Sequence, residues 1–439
     1  MCRWIAYIGA EPILMEDLIE RPEHSLLKQV HLHYLPGIQH PAADSGVGSW
    51  NAHLNADGWG IGWYSREQSK YRTEDSVDPH TGKVQRVKLP PFMPTVLRSV
   101  MPPVHDLTLR SVAKTIESNV VFGHIRATVG SPVALPNCHP FAFGRWLLMH
   151  NGAVGGFFDA QDAIRAQLSR AARLNIQGTT DTETVAALFF SLLEPSGPWL
   201  HSHSIPDIVE VLHETIRRLI TLCTPADGRG WVEPDGKTPR SWISLNLAIT
   251  DGEKFVALRF AYPKQREAPS LYWSTTAGSA FDRRFKTHPD GGHDVGKLPR
   301  EHHAPHLIVA SEPMTHQEHE WKLMKPGEII AYDRVTNSLI PLTLRLGLHE
   351  EHDRASLPSR RRASVSHHSR TGSIPPTVLH RAHNDPTNSN PAFPVLPRSR
   401  AQSVSSTASS DDQDGGVSLH GHEGSYVSPE LRQQFSGRR

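Results

Sequence analysis

Up to about Leu348 the chain alternates short apolar runs with turn signals, and amphipathic stretches occur mainly in its middle third. Arg3 to Gly9 predicts a first strand, followed by a long connection containing proline and histidine. Trp59 to Ser65 predicts a strand entered from the Asp57-Gly58 turn signal. Asn119 to Arg126 and Arg145 to His150 are apolar runs bounded by Gly and Pro, the pattern of buried strands. The period then changes. Asp181 to Leu193 predicts a helix, with Glu183 in its first turn and Ala186, Ala187, Phe190 and Leu193 at helical spacing. Ile208, Val211, Leu212, Ile216, Leu219 and Ile220 mark a second helix. Strands return at Ile243 to Thr250 and Lys254 to Phe260, flanking the Asp251-Gly252 hairpin signal. They continue at Leu271 to Thr276, His306 to Ala310 and Ile329 to Asp333. Strands, then helices, then strands again predict an α/β protein with two packed sheets and helices outside or between them, rather than a βαβ repeat.

Beyond Leu348 the pattern disappears. The segment is rich in Ser, Arg, His and Pro and holds almost no clustered apolar residues, so it cannot bury enough surface to offset the entropy of ordering. The expected organisation is a folded domain over 2–348 and a disordered tail over 349–439. Arg361-Arg362-Ala363-Ser364 in that tail resembles a basophilic-kinase target.

A net charge of +1 gives no bulk electrostatic case for nucleic acid or an anionic membrane. The chain contains no run of about 18 apolar residues and no secretory pattern at its start. Three cysteines, Cys2, Cys138 and Cys223, do not make a disulfide framework, and a reducing cytoplasmic setting is expected. His31, His33, His302, His303 and His306 lack convincing Cys or carboxylate partners, so they are read as exposed loop residues and neither metal nor cofactor is expected.

Four features carry candidate chemistry. Cys2 follows the initiator Met, whose removal would leave a thiol beside a free α-amine. That amine, with an ordinary pKa of about 8, can take the thiol proton and return it to a leaving group. His150-Asn151-Gly152 follows a buried strand; Asn151 and the Gly152 N–H can form an oxyanion hole, or the pair can simply close a hairpin. Arg126 lies at the end of a buried run, where a guanidinium needs a partner: a substrate carboxylate or a structural salt bridge. Asp181 opens a helix, where it can hold a substrate ammonium or merely cap.

Taken in order, Cys2-Arg3-Trp4, GHIRATVG (Gly123 to Gly130), NCHPF (Asn137 to Phe141), MHNG (Met149 to Gly152) and TDTE (Thr180 to Glu183) resemble class II glutamine amidotransferases. Ser311 to Met314 and the stretch from Trp321 to Gly327 resemble a stand-alone subgroup of that family. It contains the ergothioneine-pathway γ-glutamyl hydrolases and the amidotransferase subunit of the fungal glutathione-degrading complex. The resemblance implies an Ntn-hydrolase fold, a four-layer α/β/β/α sandwich. It also implies a γ-glutamyl small-molecule substrate and the possibility of a peptidase-like protein partner. Carried over by residue, Cys2 is the nucleophile and its α-amine the base. Asn151 and Gly152 form the oxyanion hole, Arg126 binds the substrate carboxylate and Asp181 its ammonium, with Thr128 and His139 lining the pocket. The family often reads Arg-X-Ala-Thr, whereas Arg126-Ala127-Thr128 is one residue shorter, which makes the role of Thr128 less secure. The implied function is hydrolysis of γ-glutamyl amides through a thioester at Cys2. The alternatives are a glutaminase supplying ammonia to a separate partner, or an assembly subunit active only when that partner docks.

Overall fold

Alternation along the strands sorts the side chains into three apolar layers. In β1 (Arg3–Leu14), Trp4, Ala6 and Ile8 point one way, while Ile5 and Tyr7 point the other. Both faces must be covered, which is why these strands read as continuous apolar runs. The computed structural model describes residues 2–36, 56–65, 73–77, 81–88, 92–128, 130–224, 242–263, 266–285, 299, 302–344 and 346. The expected disordered tail, and Ser364 within it, lie outside the described residues.

Two antiparallel sheets form the centre. The first has seven strands in the order β13-β11-β12-β1-β6-β2-β5. These are β2 (Trp59–Tyr64), β5 (Pro94–Ser99), β6 (Glu117–Ile125), β11 (Tyr272–Ser274), β12 (His306–Ala310) and β13 (Lys322–Leu323), joined to β1. The second has six, in the order β15-β14-β10-β9-β8-β7. Its members are β7 (Phe141–Phe143), β8 (Trp146–Val154), β9 (Ile243–Thr250), β10 (Lys254–Tyr262), β14 (Glu328–Asp333) and β15 (Ser338–Thr343). A separate hairpin pairs β3 (Thr73–Val77) with β4 (Val84–Lys88).

Between the sheets, Trp4, Phe122 and Val309 meet Leu147, Met149, Phe255 and Ala257. The outer face of the six-stranded sheet is covered by helices at Phe157–Ala166, Arg170–Asn175, Asp181–Leu193 and Ile205–Cys223. Shorter helices at Met15–Ile19, Leu107–Ala113 and Gly278–Phe281 cover the seven-stranded sheet. Layer by layer this is α/β/β/α, with the helices outside.

Alternate glycines let the two sheets approach. In β2, Trp59, Ile61 and Trp63 pack outward, while Gly60 and Gly62 face the second sheet. A Cβ on Gly60 would lie 2.0 Å from the His139 carbonyl oxygen, and one on Gly62 would lie 2.8 Å from Leu147. The Trp-Gly-Ile-Gly-Trp run is therefore a sheet-contact strand with one face left bare.

Several expectations differ in detail. β1 extends to Leu14, and a helix follows it inside the long connection. Strand β8 continues through Asn151 and Gly152 to Val154, so the Asn-Gly pair closes no hairpin. His303 and His306 are not exposed: both rings are buried against each other, and His306 Nε2 accepts from the Gly278 N–H at 3.1 Å. Cys138 is buried, and Cys223 is buried as the last residue of its helix.

Candidate active site

Register places Cys2 at the sheet's end. Arg3 pairs with Ile125 and Trp4 with His124, so Cys2 lies beside the residues that follow β6. Its sulfur sits 3.4 Å from both the amide nitrogen and the carbonyl oxygen of Ala127. Burial pushes the Cys2 thiol up, against the Ala127 hydrogen bond and the Arg126 and Arg3 charges. A thiol that rests protonated needs a base at the moment of attack.

Arg126 is buried next to it. Its Nη2 donates to Thr128 Oγ1 at 3.0 Å, Ser131 Oγ at 2.7 Å and the Pro132 carbonyl at 3.0 Å. Its Nη1 is buried with no hydrogen-bond partner, and no described carboxylate forms an ion pair with it. The structural salt bridge is therefore absent among the described residues. An uncompensated buried cation is costly, and a bound carboxylate would remove that cost.

Thr128 is engaged by the loop itself. Its hydroxyl donates to the Ser131 carbonyl at 2.6 Å and its amide to Asp57 Oδ2 at 2.8 Å. The shorter spacing thus yields a Thr128 that shapes the Arg126 loop. Asp57, read in the sequence only as a turn signal, anchors that loop from the entrance of β2.

From Pro132 the network continues. Asn137 Nδ2 donates to the same Pro132 carbonyl at 3.0 Å, and Asn137 Oδ1 accepts from the Thr179 amide at 2.8 Å. Buried Glu183 accepts from the Gln177 and Gly178 amides at 2.9 and 2.6 Å. Burial raises its carboxyl pKa in spite of these bonds. These contacts fix the turn before the Asp181–Leu193 helix, whose cap is Thr180 through the Glu183 amide. Asp181 is the first helical residue. Its Oδ2 accepts from the Val154 amide at 2.9 Å, tying the helix start to the end of β8.

Asn151 and Gly152 lie on that stretch of β8. Asn151 is buried and shares the inter-sheet face with Leu147 and Met149; its side chain makes no hydrogen bond among the described residues. On the opposite face, His150 bonds Thr182 Oγ1 at 2.8 Å and the Ser244 carbonyl at 3.0 Å, which locks the strand against the helix. Gly152 is exposed, at φ +152°. A Cβ there would stand 1.9 Å from the Ser244 carbonyl oxygen. Gly152→Ala should therefore cost about 2–4 kcal/mol of stability in urea unfolding; a loss under about 0.5 kcal/mol would show that the strand yields freely.

His139 does not stand alone. Its Nδ1 lies 2.7 Å from His124 Nε2, and the outer nitrogens of both rings are buried without partners among the described residues. Burial pushes His124 down to about 3 and His139 well below the usual range, and it lowers His150 as well. All three are neutral in the folded protein, whereas the unfolded chain takes up their protons below about pH 6.5. Stability should therefore fall on acidification from about pH 7.5 to about pH 5.5, with a limiting slope of about 1.4 kcal/mol per pH unit per histidine. Urea midpoints that stay flat across that window would contradict the neutral cluster.

Hydrogen bonds thus link Cys2 to Ala127 and lead from Arg126 and Thr128 through Pro132 and Asn137 to Thr179, and Asp181 is tied to Val154 at the end of β8; the Asn151 side chain stands outside these bonds, and His139 is bonded to His124 on β6. A separate cavity of about 480 Å³ lies between the edge strands and is lined by Val96, Arg98, Pro136, Phe141, Gln177 and Glu183; none of the seven predicted residues lines it. Among the described residues no group of three or more His, Cys, Asp or Glu side chains could hold a metal. None of the described helices is long and apolar enough to cross a membrane.

Residues 44–224 match the family model for class-II glutamine amidotransferases. Over 347 residues the chain is 27% identical to a probable glutamine amidotransferase, DUG3, of Saccharomyces cerevisiae, covering 78% of this chain and 84% of that one. It is 32% identical over 192 residues to the gamma-glutamyl-hercynylcysteine sulfoxide hydrolase of Mycolicibacterium smegmatis, covering 44% of this chain and 63% of that one. A glutamine aminotransferase class-II domain protein of Silicibacter pomeroyi superposes with a TM-score of 0.45 at 23% identity, covering 78% and 98% of the two chains. Residues 44–224 are thus the part of the chain that is similar to class-II glutamine amidotransferases.

Proposed function

We propose that the protein is an N-terminal-cysteine amidohydrolase that cleaves γ-glutamyl amide bonds, with glutathione or a related γ-glutamyl compound as substrate. The observation that carries this reading is the seating of the Cys2 thiol on the Ala127 amide, one residue along the chain from Arg126, a buried cation whose Nη1 has no partner. Such a cation fits the α-carboxylate of a γ-glutamyl group, and Asp181 at the helix start fits its α-ammonium. The Cys2 sulfur attacks the γ-carbonyl as the α-amine takes its proton. Asn151 Nδ2 and the Gly152 N–H stabilise the oxyanion. The tetrahedral adduct collapses, the amine leaves with the proton, and a γ-glutamyl thioester remains for water to hydrolyse.

The catalytic unit in this reading is the domain over 2–348, which acts in the cytoplasm. The names of the relatives support the γ-glutamyl substrate class, and the resemblance to the subunit of a glutathione-degrading complex supports a peptidase-like partner for the amine product. Met1-processed protein is to be incubated separately with glutamine and with glutathione, scoring free glutamate. Release from glutathione supports the proposal, and release from glutamine alone turns it toward an ammonia-supplying glutaminase. Silence with both, from protein whose Cys2 amine is free, argues for dependence on a partner.

A further inference from the structure

The first residues of β1 are held by more than their sheet neighbours. Ser311, just past β12, brackets Trp4: its hydroxyl accepts from the Trp4 amide at 3.0 Å, and its own amide donates to the Trp4 carbonyl at 2.9 Å. The next residue, Glu312, is fully buried and accepts from Arg3 Nε at 2.6 Å. Arg3 Nη1 in turn donates to the carbonyl of Cys2 at 3.1 Å. Glu312 also bonds His24 Nε2 at 2.9 Å and the Tyr34 amide at 2.7 Å. His33 Nδ1 lies 3.1 Å from Arg3 Nη2 and 3.2 Å from Glu312 Oε1, so it serves one of them at a time. Burial acts to raise the Glu312 pKa, but the His24 and His33 bonds, the Arg3 charge and the Tyr34 amide outweigh it, and the carboxyl stays ionised.

We propose that Arg3 and Glu312 are positioning residues for the nucleophile, a fork that fixes the Cys2 carbonyl so that the thiol stays seated against Ala127. The inference rests on reading Cys2 as the nucleophile. Rotation about the Cys2 backbone moves its sulfur relative to its carbonyl. With the carbonyl held by Arg3 and the sulfur by the Ala127 amide, both ends of that rotation are pinned. A misplacement of about 1 Å at a reacting atom can cost about 10²-fold in rate. Glu312 orients the fork and neutralises its charge, and Ser311 sets the register one residue further on.

A merely structural ion pair would survive Arg3→Lys, because an ammonium can still meet Glu312. It lacks the planar fork needed to hold the Cys2 carbonyl as well. In the full-length, Met1-processed protein, Arg3→Lys should lower kcat by about tenfold or more while KM stays within about twofold, because Arg126 and Asp181 are untouched. Alkylation of Cys2 by iodoacetamide, read by intact mass, should become faster by about threefold or more as the thiol is released from Ala127. Glu312→Gln should shift both readouts in the same directions. Wild-type kcat and alkylation rates in Arg3→Lys would overturn the proposal, as would a loss of kcat and a gain in alkylation that both merely track the unfolded fraction. If the wild-type protein shows no Cys2-dependent turnover, the proposed function fails, while the alkylation contrast still tests the fork.

Discussion

Cys2→Ala should lower glutamate release by about 10⁴-fold or more, to the level that binding and the oxyanion donors alone support. The thiol is the only atom at the site proposed to form a covalent bond, and its nearest contacts are backbone atoms of Ala127. Its removal deletes only two weak sulfur contacts, so folding should be unaffected. The melting temperature is the control: a Cys2→Ala protein that melts with the wild type but does not turn over separates chemistry from stability. Retained turnover in Cys2→Ala would remove the nucleophile from the account.

The second large effect is expected at Asn151. Asn151→Ala should reduce kcat by about 10²–10³-fold, equivalent to about 2.7–4 kcal/mol, with little change in KM. The asymmetry follows from where the side chain is used. Asn151 is buried, and its side chain makes no hydrogen bond among the described residues in the resting protein. Its Nδ2 therefore finds its partner only when charge develops on the attacked carbonyl. Losing such a group does little to the folded state, because no hydrogen bond is broken. The expected pattern is a crippled enzyme of about equal stability in urea. A KM effect with unchanged kcat would instead assign Asn151 to ground-state binding.

How much of this was legible in the sequence follows the range over which each feature is determined. The Asp181–Leu193 helix has the predicted bounds because its cap, first-turn acids and apolar spacing are all local. The Asp251-Gly252 hairpin is equally local: Asp251 Oδ1 accepts from the Glu253 and Lys254 amides, and β9 and β10 pair across it. Short edge strands such as β7, three residues long, give too little periodicity to be noticed. Asn151-Gly152 looked like a turn because that is the commonest local use of the pair. Its place inside β8 is set by pairing with β9, more than 90 residues later, where Asn151 lies opposite Asn246.

The site shows the same division. Residue types at motif positions point to Cys2, Arg126, Asn151, Gly152 and Asp181; hydrogen bonds tie Cys2 to Ala127, beside Arg126, and Asp181 to Val154 at the end of the strand that carries Asn151 and Gly152. What supports them was hidden by distance along the chain. Arg3 and Glu312 are 309 residues apart, and Thr128 is held by Asp57 from 71 residues upstream. Glu312 stood in a recognised motif with no role, because its partners become visible only when β12 is laid beside β1. The alternate glycines of β2 were equally opaque: a bare strand face has meaning only once Pro140 and Leu147 are seen against it.

Passage of a γ-glutamyl group through Cys2 is open to direct test by trapping the intermediate. Met1-processed enzyme is mixed with glutathione, quenched in acid within the first turnovers, digested, and its N-terminal peptide weighed. The expected peptide is heavier by one γ-glutamyl group, with the added mass on Cys2, lost on treatment with hydroxylamine and absent from Cys2→Ala. Robust turnover with an N-terminal peptide that is never acylated, at any quench time and with slow substrates, would contradict it.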